Sequence, residues 1–235
     1  NWMGSAGISF NSAGLAQRIS ESSVISVSIQ SMNYGDIEIT TVENPEGSIG
    51  FFSPRTNVFN IGYARKFSSS ISGGINFKVI SESISNLKAS GLAIDAGIRY
   101  VTGEQEQIKF GITLKNVGPV MRYKGDGLAQ QAEYVTTGFI ASLEERSSGF
   151  EMPSLLSIGG SYDFIFNESN KLNLAMGFTA NSFSYDQYRI GLDYGMTNER
   201  MAFNVRGGFV YEKNLFSIDN RSNALIGPTA GFSID

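Results

Sequence analysis

The chain of 235 residues contains no cysteine and no histidine, only 5 prolines, and no apolar run long enough to cross a bilayer as a helix. Without cysteine there are no disulfide frameworks and no thiolate metal sites. Without histidine the usual general base of hydrolases and acyltransferases is missing, so no nucleophilic triad is expected and the chain is not read as an enzyme. A transmembrane helix needs about 18 or more consecutive apolar residues, which excludes that route through a membrane and leaves strands open. Charge is also scarce, at 17% of residues against the roughly 25% common in soluble domains. The balance of 18 basic and 22 acidic side chains gives −4, which offers nothing to a nucleic-acid backbone.

What the chain has instead is alternation. In ASGLAIDAGIRY, residues 89–100, Leu92, Ile94, Ala96, Ile98 and Tyr100 alternate with Ala93, Asp95, Gly97 and Arg99. Side chains on a strand point to opposite faces in turn, so one face is apolar and the other polar. The pattern recurs at residues 2–11, 25–30, 59–64, 71–79, 108–115, 156–164, 172–178, 188–195, 201–206 and 226–234, giving eleven expected strands. Many of these stretches run to about 9–12 residues, enough at a tilt near 40° to cover the roughly 25 Å apolar band of a membrane. Strands of soluble sandwiches average about 5–6 residues. The polar faces are rich in glycine, serine and asparagine, with Asp95, Arg99, Lys109, Lys115, Arg189, Asp193 and Arg206 in mid-strand. Small and charged residues suit a crowded wet lumen better than a solvent face, which glycine weakens.

Connection lengths agree. SAGLAQRISESS, KFSSS, VTGEQEQ, FNESNK and MTNER are short polar turns, and they alternate with longer joints at residues 43–57, 81–88, 119–154, 181–187 and 211–223. Such alternation is expected when one rim faces the periplasm and the other the outside. The fold class is therefore all-β: a transmembrane, antiparallel, up-and-down β-barrel forming one domain over residues 1–235. With periplasmic short turns, eleven strands would begin at the outer rim and end at the inner one. Single-chain bacterial barrels are even-stranded, so at least one further strand is expected upstream.

Asp95 and Arg99 share a face with Gly97 between them, and Arg189, Gly191 and Asp193 repeat that spacing, which fits either the lining of a conduction path or, favoured by the repetition, neutralisation of one another and their neighbours within a narrow lumen. Leu128, Ala132, Val135, Phe139 and Leu143 recur at helical spacing in the 119–154 segment, which predicts a short amphipathic helix or a docking surface. Phe51 and Phe52 beside Pro54 in an outer loop, with Tyr123, Phe139 and Phe150, are candidate partner contacts. There is no phosphate cradle and no metal-loop spacing, so no cofactor and no metal are expected.

MNYGDIEITTVENPEG and FFSP, YARKFSSSISGGINFKVISESI, ASGLAIDAGIRYVTG, KFGITLKNVGPVMRY, and YRIGLDYGM followed by FNVRGGF resemble the PorV family, with its relative PorQ, of the type IX secretion system. The likeness runs in order along nearly the whole chain. It implies a FadL-type barrel, about fourteen strands when complete, in the bacterial outer membrane. It further implies an accessory barrel beside the SprA-type giant translocon, which binds the C-terminal signal domain of secreted cargo and hands it to surface attachment proteins. The family's N-terminal Gly-rich and Asn-Pro-Ala-Gly-type segment has only an echo here, NSAGLA at residues 11–16. The alternative from another class is a FadL-like channel for hydrophobic small molecules, which needs an apolar lining that the small polar inner faces do not supply.

Overall fold

The computed structural model describes residues 7–47, 49–134, 139–198, 201–213 and 226–234; for 131–134 and 139 it describes the backbone alone. Its strands are β1 (Ser9–Ser20), β2 (Ser23–Asn33), β3 (Ile37–Glu38), β4 (Phe51–Phe52), β5 (Arg55–Lys66), β6 (Ile71–Ile84), β7 (Leu87–Thr102) and β8 (Ile108–Val117). They continue with β9 (Tyr123–Lys124), β10 (Ala129–Tyr134), β11 (Phe139–Glu144), β12 (Leu155–Asn167), β13 (Asn170–Asn181), β14 (Gln187–Asn198), β15 (Met201–Glu212) and β16 (Gly227–Ile234). Eleven of them form one antiparallel meander in the order β1-β2-β5-β6-β7-β8-β12-β13-β14-β15-β16. This is the up-and-down architecture expected from the alternation. Among the described residues the edge strands β1 and β16 do not pair with each other.

The two faces are sorted as a bilayer requires. Ile94, Phe110 and Leu192 stand 41%, 43% and 49% exposed, and the same holds for dozens of large apolar side chains along every long strand. They do not meet in a dry interior. The buried apolar set among the described residues is small: Ala89, Ala93, Met121, Met152 and Ile226. A continuous apolar surface of this extent is too large for water and suits acyl chains, and every strand of the meander between the two edges is paired on both sides. The polar positions, by register, share the concave face: Gly62 opposes Asn76, Asn76 opposes Asp95, and Asp163 opposes Asn173, which in turn opposes Asp193.

Three local expectations are corrected. SAGLAQRIS is not a turn but most of β1, paired with β2 from Ser9↔Asn33 to Ser20↔Ser23. Its outward side carries little beyond Ala13, Leu15 and Ile19, so the strand period is faint, and pairing with the strongly alternating β2 decides its structure. Trp2 and Ala6, which the alternation assigned to the first strand, lie outside the described residues. The joint expected at 81–88 shrinks to Ser85 and Asn86, with Ser85 at a left-handed φ of 53°. Among the described residues of 119–154 the expected α-helix is not found: Asp126–Leu128 makes a single 3-10 turn, and β10 and β11 are antiparallel partners that pair Gln130 with Leu143 and Tyr134 with Phe139. Alternate positions on two antiparallel strands here mimic a spacing of four. Val135 lies outside the described residues.

Candidate functional site

The concave face is organised by carboxylates that each collect donors from neighbouring strands. Asp95 on β7 meets Lys78 Nζ at 2.7 Å and accepts the backbone N–H of Asn116 at 2.8 Å. Lys78 also donates to Asn116 Oδ1 at 2.8 Å. This arrangement needs an irregularity. The β7–β8 register jumps from Ile94↔Val117 to Ala96↔Leu114, so Lys115 and Asn116 crowd opposite Asp95, and Asn116 takes a φ of 58°. Asn116 Nδ2 then donates to the Pro153 carbonyl at 2.8 Å, tying the end of the long connection to the wall.

Asp163 on β12 is a second hub, its side chain only 5% exposed. It receives Lys109 at 2.6 Å from β8 on one side, and Lys171 at 3.1 Å and the Asn173 amide from β13 on the other. Asp193 on β14 meets Arg206 Nε at 2.8 Å from its direct cross-strand neighbour on β15. Arg189 donates to Thr179 Oγ1 at 2.9 Å and to Gln187 Oε1, while Gln187 Nε2 donates to Glu212 at 2.8 Å.

All seven charges singled out in the sequence therefore lie on the concave face, but with different partners. Asp95 pairs with Lys78 rather than Arg99, and Asp193 with Arg206 rather than Arg189. The reason is distance. Positions i and i+4 of a strand are roughly 13 Å apart, whereas on adjacent strands opposed positions, as Asp193 and Arg206, are about 5 Å apart and diagonal ones, as Asp95 and Lys78, about 7–8 Å. Register, not in-strand spacing, chooses the partner.

The two ends of the 118–154 segment, residues 118–124 and 150–153, fold onto this face at the rim of the long connections. Gly118 allows the chain to leave β8 there, since a Cβ would come within 2.0 Å of the Leu92 carbonyl oxygen. Met121, 1% exposed, and Met152 then cover Ala89 and Ala93, with Ile80, Tyr123 and Phe150 packed around them. Gly91 lies between the two alanines on the same face of β7, and a Cβ there would sit 2.6 Å from Met121 Cγ. Met121 and Phe150 exchange backbone hydrogen bonds at 2.8 and 2.9 Å, and β9 adds two residues to β7 at Lys88 and Ala89. Tyr123 stacks on Phe150 with ring centroids 5.2 Å apart and donates its hydroxyl to Glu82 at 2.9 Å. Burial first, and the adjoining Glu82 carboxylate second, push the Tyr123 phenol up to about 12, so it stays a neutral donor throughout the physiological range.

Of the aromatics proposed as partner contacts, Tyr123 and Phe150 are thus turned inward onto each other. Phe51, 66% exposed, and Phe52 form β4, paired with β3, and the Pro54 carbonyl accepts the Tyr34 N–H at 3.0 Å. Phe139 belongs to the separate β10–β11 pair. The inward position of Asp163 was legible from the alternation, whereas the methionine island and the gathering of Lys109, Lys171 and Asn173 around Asp163 escaped residue-by-residue reading. A signal for the island was present in Ala89, Gly91 and Ala93, three consecutive small residues on the inner side of one strand, which mark a close approach of covering chain.

No model of a known protein family matches the sequence, and no curated protein matches it. Among solved structures the chain is similar to a Pseudomonas aeruginosa FadL homologue at 10% identity and a TM-score of 0.47, over 88% of this chain and 61% of that one. It is also similar to the TodX deltaS2S3 mutant monoaromatic hydrocarbon channel, at 12% identity and 0.49 over 95% and 73%, and to the CymD monoaromatic hydrocarbon channel, at 10% and 0.43 over 94% and 69%. The chain spans about three fifths of the length of the FadL homologue.

Proposed function

We propose that the chain forms a FadL-like barrel in a bacterial outer membrane and passes small hydrophobic molecules, without catalysing a reaction on them. The observation that carries the reading is an apolar island on an otherwise polar inner wall: Met121 and Met152 over Ala89 and Ala93, flanked by Tyr123 and Phe150. A hydrophobic solute entering from the rim of the long connections meets the half-buried Ile80, Tyr123 and Phe150 that border the buried island, and the flexible Met152, which lines a cavity with Ile80 and Val58, adapts to varied shapes. The small polar residues beyond it give such a solute little to hold, which favours passage over retention. Monoaromatic hydrocarbons, the solutes named for two of the similar structures, are the class to try first.

The test is entry of the fluorophore N-phenylnaphthylamine into cells whose lipopolysaccharide leaflet otherwise excludes it. Expression of the protein is expected to raise the entry rate several-fold, and Met121→Gln, which puts an amide into the island, to remove most of that gain. Entry no faster than in cells carrying an empty vector would refute the channel.

A second reading, as an accessory barrel of the type IX secretion system, is supported by the sequence stretches resembling PorV and by the exposed Phe51 beside Phe52. Its partners would be the SprA-type translocon, C-terminal signal domains of cargo and surface attachment proteins, gripped by aromatics at the rim. Replacing Phe51 and Phe52 with serine is then expected to reduce co-purification of cargo or translocon at least about tenfold, as loss of a hot spot worth roughly 2 kcal/mol does, with the barrel still folded. Undiminished pull-down of both partners would count against this surface.

A further inference from the structure

We propose that the inner face at the short-turn rim is an electropositive vestibule that takes small hydrophilic oxyanions, carboxylates or phosphates. This goes beyond hydrophobic passage and needs only that the concave face be wet. The charges on this face are unevenly matched. Asp95, Asp163 and Asp193 are already engaged by Lys78, by Lys109 and Lys171, and by Arg206. Glu82 and Glu212 stand at the opposite ends of their strands, toward the long connections.

Lys115 and Arg189 lie toward the same far rim, so at the short-turn rim Arg18, Lys66 and Arg99 remain. Lys66 and Arg99 flank Ser72 from the two strands next to β6, in the registers Lys66↔Ser72 and Ser72↔Arg99. Their Cα atoms are thus about 10 Å apart, twice the strand spacing. Arg18 opposes Val24, which opposes Ala64 two positions from Lys66, so it shares their face. Among the described residues none of the three has a carboxylate within 4.0 Å. All three line one cavity of about 550 Å³, together with Ser72 and Thr113. Glu21 is the one carboxylate among its lining residues, so positive charge is in excess there. The floor is low because Gly74 and Gly97 are directly opposed inner positions without side chains, with Gly111 diagonal to Gly97.

The chain as a whole is −4, so this local sign is opposite to the global one. Clefts lined by one sign of charge focus potential and concentrate counter-ions, and two guanidinium forks with a nearby ammonium suit a carboxylate or phosphate. A cation in the same place would meet repulsion from three sides.

The chain contains no cysteine, so a single Ser72→Cys variant of the full protein in detergent reports the potential at that point. Its rates with a sulfonated and a trimethylammonium methanethiosulfonate, each divided by the rate with mercaptoethanol, give a charge ratio. At low salt the anionic reagent is expected to be favoured by about fivefold or more, and the preference to fall toward one in about 1 M salt. Adding Lys66→Gln and Arg99→Gln to the reporter should abolish most of it. Equal rates at low salt, or a preference unchanged when both cations are removed, overturns the proposal. So does a thiol that neither reagent reaches in the folded protein although both label it after denaturation. Failed entry of hydrophobic fluorophore leaves the ratio unaffected, because the thiol reports potential without transport, and equal rates leave the fluorophore result standing.

Discussion

Placing arginine at Ile29 is expected to lower the stability of the bilayer-embedded protein by about 2–4 kcal/mol, whereas arginine at the next residue, Gln30, should change it by less than about 0.5 kcal/mol. The two positions have nearly the same depth. Counted from Ser23 at the short-turn end of β2, Ile29 lies six residues along, which at about 3.3 Å per residue and a tilt near 40° is close to the middle of the apolar band. Ile29 is 53% exposed, opposed by Ala13 and Phe59 on the neighbouring strands, so its substituent would face hydrocarbon. Gln30 is opposed by Ser12 and Val58 on the inner face, where a guanidinium finds water. Urea titration of the protein refolded into liposomes measures both. If the two variants lose equal stability, or Gln30→Arg loses more, the assignment of faces is wrong, and the channel, the secretion reading and the oxyanion vestibule go with it.

Asp163→Ala is expected to cost about 3 kcal/mol, the scale of breaking a buried ion pair by deleting one partner. The loss is asymmetric. Asp163 is almost wholly buried, while Lys109 is 31% and Lys171 51% exposed, so Lys171 can turn into the lumen whereas Lys109 is held near the site of a missing counter-charge. Asn173 loses its acceptor as well. Asp163→Asn, which keeps an acceptor oxygen, should cost less, and pairing Asp163→Leu with Lys109→Met should recover most of the deficit by removing both charges. The same urea titration decides. A change under about 0.5 kcal/mol for Asp163→Ala would mean that the three donors are held by the wall itself, and that the carboxylate only fills the space between them.

The large pattern was readable because strand alternation has a short period and eleven strands repeat it. Leu92, Ile94, Ile98 and Tyr100 need no partner to declare a face. β1 was not readable in the same way, because Gln17 and Ala13 interrupt the outward side and its structure comes from β2. The ion pairs were misassigned for a related reason. Sequence displays Asp95 and Arg99 as neighbours on one strand, yet the pairing of Asp95 with Lys78 depends on where β6 lies against β7, which single-strand periodicity does not encode. The β10–β11 pair imitated a helix because Leu128, Ala132, Phe139 and Leu143 sit at intervals that two paired strands also satisfy. The inward fold of the ends of the 118–154 segment depends on Gly118 and Gly91, whose roles appear only when the chain they admit is in place.

Seven of the ten adjacent pairs in the meander are joined by two to five residues, so most of the wall can assemble by adding hairpins one at a time. The exceptions are β2 with β5, across residues 34–54, β15 with β16, across 213–226, and above all β8 with β12, whose pairing must wait for residues 118–154 to be spanned. Closing 37 residues rather than the five between β7 and β8 costs roughly 2 kcal/mol more in chain entropy. That seam therefore sets the pace of assembly, and a nascent wall would pause there as two separate leaflets before zipping shut.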